Sequence, residues 1–272
     1  AYNADDPKIK LKIDHTYRVA ALCERIAKAA GMCAYDVELA WLSGMLHDVG
    51  RFEQIKRYNT FSDADSVDHA KFGADLLFKD GLISTFLKGM VKCTGYKPGA
   101  LEDRYSSDGV FLYDRLNKSD MEMLELAIRC HNMYRIPQGL NSREQAFCNV
   151  LRDADKVDIF KVNIDTPLEE IYNTTTEELM KSDITDEVLE AFDEEHCILK
   201  AIRRTPADTV IGHVSLAYEL VYDESVRITV EQGYLAKLMN FHSDNEETNR
   251  KMAMVREKMD SYVKKRIREK DA

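Results

Sequence analysis

Apolar residues recur in this chain every three or four positions and almost nowhere every second one. That is the helical period, and the lack of sustained alternation leaves little to build a sheet. An all-α fold is therefore expected. The clearest stripe is Ala207, Val210, Ile211, Val214, Ala217, Tyr218 and Val221, on a long helix opened by Thr205-Pro206. A second one is Met252, Val255, Met259, Tyr262 and Val263, on a helix opened by Ser243 with Glu246 and ending in basic residues.

Start and stop residues divide the rest of the chain. Asp14 reads as the cap of a helix over residues 15–30, with Gly31 as its stop. A second helix is expected over 36–48, a third from Asp65 and Ser66 to Gly81, and a fourth over 83–94. Residues 97–109 are rich in turn formers and read as a loop. Ser119 with Glu122 reads as a capping box for a helix ending near His131. Pro137 and Gly139 break the chain, Ser142 with Gln145 opens the next helix, and Thr166-Pro167 with Glu169 opens another. The expected organisation is one helical domain over 1–165 and a helical extension over 166–272. The apolar stripes of the extension must be buried against the core helices or a partner subunit.

Composition excludes several partners. A formal charge of −10 argues against binding a nucleic-acid polymer, which rests on Lys and Arg against phosphate. The six cysteines are scattered with no close pair, which suits free thiols in a reducing compartment. No apolar run approaches the roughly 18 residues of a membrane span, and the first residues form no apolar signal segment. A cytoplasmic protein without a membrane partner is expected.

The histidines carry the chemical signal. His15 shares a helical face with Val19, Leu22 and Ile26, His69 with Phe72 and Leu76, and His131 with Leu124, Ala127 and Ile128. Asp155 shares one with Cys148 and Leu151. Inward histidines from separate helices, with a carboxylate that is costly to bury alone, favour a metal site. His47 is followed directly by Asp48. Adjacent helical residues diverge by about 100°, so both reach one centre only at a helix end or distortion. Gly50 is the expected end. His213 lies beside the apolar stripe and reads as structural, whereas His196 and His242 sit among polar residues and read as exposed.

His15, the His47-Asp48 pair and a distant aspartate on successive helices resemble the HD superfamily of metal-dependent phosphohydrolases, over about residues 11–160. The resemblance implies a helical bundle and one or two divalent ions (Mn, Fe, Mg, Zn or Ni). It implies His15, His47 and Asp155 on one ion, His69 and His131 on the other, and Asp48 between them. Asp155 fits the last position better than Asp153, because it follows the small Ala154 and precedes Lys156. Some binuclear members carry two adjacent histidines where this chain has His131-Asn132. Arg51 stands where related members place a lysine, and a guanidinium there suits a phosphate; Glu53, Arg57 and Lys71 are candidates for the rim. Asp48 and Arg51 are thus the expected catalytic residues. The implied reaction is hydrolysis of a nucleotide or other small phosphorylated metabolite by a metal-activated water. The alternatives are a di-iron oxygenase with the same ligands and a non-catalytic nucleotide-sensing module.

Overall fold

The computed structural model describes residues 2–92, 116–172 and 174–268, and every regular element among them is helical. The loop expected over 97–109, and the end of the fourth helix beyond Lys92, lie outside the described residues. Two compact units divide the chain, Ala1–Ala154 and Asp155–Ala272. The division falls inside one continuous helix, Ser142–Asp165.

The first unit contains α1 (Pro7–Ala29), α2 (Ala34–Leu46), α3 (Val49–Tyr58), α4 (His69–Ala74), α5 (Leu82–Lys92), α6 (Lys118–Cys130) and the first half of α7 (Ser142–Asp165). Helix α1 packs along α2, and α4 packs on α3 and α6. The α1–α2 approach is close because Gly44 has no side chain: a Cβ there would lie 2.6 Å from the Ala20 Cα. Val19, Cys23, Ile26, Leu39, Leu42 and Leu46 fill the core of this crossing.

Several helix starts differ from the sequence expectation. Helix α1 starts at Pro7, capped by Asp6, whose carboxylate accepts from the Lys8 and Ile9 amides. Asp14 instead lies inside α1 and pairs with Lys10 one turn earlier. Helix α4 starts at His69 with Asp68 as its cap, and continues as a π-helical turn, Asp75–Lys79, before Gly81 turns the chain at positive φ. Helix α6 is capped by Asn117 with Asp120, not by Ser119 with Glu122. At α4 and α6 a nearby residue outcompetes the expected cap for the free amides, a choice that local sequence leaves open, and α1 begins about two turns earlier than expected.

The second unit contains the rest of α7, then α8 (Leu168–Tyr172), α9 (Thr176–Lys181), α10 (Asp186–Asp193), α11 (Pro206–Val214), α12 (Asp223–Gln232), α13 (Tyr234–Met239) and α14 (Glu246–Arg268). Phe160, Leu179, Phe192, Ile211, Val214 and Met259 belong to its core cluster. Thr205 and Asp208 form the capping box of α11, but the expected long helix ends at Val214. A 3-10 turn, Ser215–Glu219, follows, and it tightens the winding so that Ala217 and Tyr218 stay buried while Val221 is exposed. Met252, Val255 and Met259 of α14 are buried as their stripe requires.

Candidate metal centre

The helical path breaks between His47 and Asp48. Helix α2 ends at Leu46, His47 keeps helical angles, and Asp48 turns to φ −102°, ψ 16° before α3 begins. That distortion brings both side chains to one centre. Gly50 is not the helix end but a close-packing residue inside α3: a Cβ there would lie 2.2 Å from the His69 carbonyl oxygen and 2.8 Å from the Gly73 amide. Its absence lets α3 and α4 touch backbone to backbone, which carries His69 to Asp48.

Asp48 has one histidine pair on each oxygen. His15 Nε2 and His47 Nε2 each lie 3.6 Å from Oδ2 and 3.3 Å from one another. His69 Nε2 lies 3.5 Å and His131 Nε2 3.8 Å from Oδ1, and these two nitrogens are 3.1 Å apart. Within each triangle the point equidistant from the three atoms lies about 2.0 Å from each, which is the length of a metal–nitrogen or metal–carboxylate bond. His and Asp side chains grouped in this way could hold a metal. His47 donates Nδ1–H to the Gly44 carbonyl and His131 to the Ile128 carbonyl, each at 2.7 Å. A carbonyl can only accept, so both rings keep the Nε2 lone pair turned toward Asp48.

Asp155 belongs to this neighbourhood through its helix. It follows Ala154 without a break in α7, and its carboxylate lies within 4.8 Å of the His15 and His47 ligand atoms. Asp153 is fully buried, so it is no solvent-facing group.

Several site residues escaped the sequence reading. Asp63 accepts Nδ1–H of His69 at 2.7 Å, fixing the ring with Nε2 toward Asp48. Burial raises the Asp63 carboxyl, but the His69 hydrogen bond and the Arg51 charge outweigh it and hold it below the usual range. Burial pushes His69 down to about 4 against the opposing hydrogen bond of Asp63, so its imidazole is neutral near pH 7. Asn132 donates to Asp68 at 3.0 Å. Lys12 Nζ lies 2.7 Å from Asp48 Oδ2 and 5.4 Å from the Phe61 ring centroid. Lys12 precedes His15 by three residues, one helical face, and that spacing was the available signal. For Asp63 the signal was weaker, because Asp65 and Asp68 also precede His69. Burial would raise the Asp48 carboxyl, yet Lys12 first and then His47, His69 and Arg51 hold it well below its ordinary value.

Arg51 is committed on one side. Its Nη1 donates to the Gln54 side chain, the Phe61 carbonyl and Asp63, pinning the loop before α4. Its Nε is buried without a hydrogen-bond partner, 3.8 Å from Asp48 Oδ1. Glu53 and Arg57 pair with one another on the surface of α3, and Lys71 pairs with Asp68. His213 is partly buried, with Nδ1 lacking a hydrogen-bond partner. His242 is exposed, and His196 bonds Glu194.

Comparison with known protein families matches residues 13–202 to the HD domain. The chain belongs to the HD-domain family. The match takes in every candidate ligand and crosses the division between the two units. No curated protein and no solved structure gives a significant match. The HD superfamily consists largely of metal-dependent phosphohydrolases, and the His/Asp groups here are of the kind that can hold a metal. No helix among the described residues is long and apolar enough to cross a membrane.

Proposed function

We propose that this HD domain is a metal-dependent phosphohydrolase acting on a nucleotide or another small phosphorylated metabolite. The supporting observation is Asp48, one oxygen of which faces His15 and His47 and the other His69 and His131. In this reading His15, His47 and Asp155 hold one divalent ion, His69 and His131 hold a second, and Asp48 serves both. Bound ions would neutralise charge on the phosphoryl oxygens and acidify a water to near-neutral pKa. The protein's own groups do the rest. Gly44, Ile128 and Asp63 fix the imidazole tautomers, and burial keeps water from competing for the ligands. Lys12 and Arg51 flank Asp48, and in this reading their charge would meet the remaining oxygens of the phosphate.

The test is metal analysis of the purified chain after reconstitution, followed by phosphate release across nucleotides and sugar phosphates. Bound metal and chelator-sensitive turnover are expected, both lost in a His47→Ala, Asp48→Ala double variant. Lys12→Met should keep metal and lose about 1.5–3 kcal/mol in kcat/KM, the worth of a hydrogen bond to a charged group. Turnover that survives chelation, or a chain that takes up no metal, refutes the proposal.

A further inference from the structure

His131 is the C-terminal cap of a helix, a poor place to hold a ligand rigidly. Helix α6 ends at Cys130 with His131 as its cap, and the carbonyls of a final helical turn have no intrahelical partner. Arg152, on the neighbouring α7, binds the Cys130 carbonyl at the end of that turn and three carbonyls of the residues just after it. Its Nη1 donates to the carbonyls of Cys130 at 3.3 Å, His131 at 3.4 Å and Met133, and its Nη2 to Tyr134 at 3.3 Å. The side chain is buried, and a cation at a helix C-terminus also meets the negative end of the helix dipole.

We infer that Arg152 is a positioning residue for the second metal ion, acting on His131 through the backbone. The inference rests on the proposed two-ion reading of the site. Four carbonyls on one guanidinium fix the turn 130–134, and with it the Cα of His131. The ring is then locked from its other side by Nδ1 bonding the Ile128 carbonyl. Nε2 has no freedom left except the direction of Asp48 Oδ1 and His69 Nε2. Arg152 precedes Asp155 by three residues on the same helix. Helix α7 therefore carries both residues. Asn132 does not provide a second imidazole at this corner, so the affinity for the second ion depends on how firmly His131 is held.

The experiment measures metal stoichiometry and affinity in the wild type, Arg152→Met, Arg152→Lys and His131→Ala, with the thermal unfolding of each metal-free form. Arg152→Met should bind the second ion about 10–100-fold more weakly, the usual cost of losing an outer-shell support, and should resemble His131→Ala. Arg152→Lys keeps the charge and up to three donors and should recover part of the loss, which also covers a methionine variant that fails to fold. Arg152→Met with reduced thermal stability but wild-type metal content means a structural role alone and overturns the inference. So does a His131→Ala variant that keeps every ion of the wild type. A wild type that binds no metal refutes the functional proposal instead, and that outcome is visible before any variant is compared.

Discussion

Replacing Gly50 with alanine tests whether the α3–α4 contact sets the metal site. A Cβ at this position would meet the His69 carbonyl oxygen at 2.2 Å, the Gly73 amide at 2.8 Å and the Gly73 Cα at 3.0 Å. All three are backbone atoms, so no side chain can rotate away. Restoring ordinary contact near 3.4 Å requires α4 to move by on the order of 1 Å. Overpacking of this kind costs about 1–3 kcal/mol, with rigid backbone toward the upper end. Alanine returns about 1 kcal/mol through helix propensity, because Gly50 lies inside α3. The net loss of about 1–2 kcal/mol corresponds to a fall in Tm of roughly 2–8 °C for a chain of this size. The larger effect falls on His69, which opens α4 and whose Nε2 lies 3.5 Å from Asp48 Oδ1. A shift of about 1 Å takes that nitrogen out of reach of an ion shared with Asp48, so the second ion should be lost. Thermal unfolding with and without metal, together with metal analysis, reads both effects. Gly73→Ala attacks the same contact from the other side, its Cβ meeting the Gly50 amide at 2.9 Å, and should reproduce the result. A Gly50→Ala protein as stable as the wild type and with full metal content would refute the reasoning.

Asp63→Asn keeps the shape of the His69 partner but removes its charge, and should weaken the second ion about 10–100-fold in a metal titration; unchanged affinity would mean that Asp63 only pins its loop to Arg51. His213 gives a pH dependence. Burial first, then the charges of Arg203 and Lys200, lower its pKa from 6.5 to about 3. As pH falls, the unfolded chain takes up this proton before the folded one does. The stability it contributes is therefore complete above pH 6.5 and is lost progressively between 6.5 and about 3, by at most about 1.4 kcal/mol per pH unit. His213→Gln should flatten that part of the metal-free unfolding profile, and equal slopes in the two proteins would contradict the assignment.

The sequence alone determined the all-α class, the inward faces of His15, His69 and His131, and the family signature at His47-Asp48, because helical periodicity and ligand chemistry are local properties. It also located most helix ends to within a few residues, since Gly31, Gly81 and Gly139 stand at positive φ, which strains most other side chains. It misplaced the caps of α1 and α6, where several polar residues compete and only the packed chain selects one. It ran the stripe of 207–221 through as one helix, because a 3-10 turn preserves much of the same periodicity. It took Gly50 for a helix end, because a glycine needed for space and one needed for its dihedral angles look alike in a sequence. Tertiary structure alone decided which oxygen of Asp48 faces which histidine pair, that Asp63 and not Asp65 or Asp68 receives His69 Nδ1–H, and that Lys12 and Arg152 belong to the site at all. Each of these is a contact between side chains that different helices or a loop bring together, and its distance is set by how the packed chain places them, a quantity that no periodicity encodes.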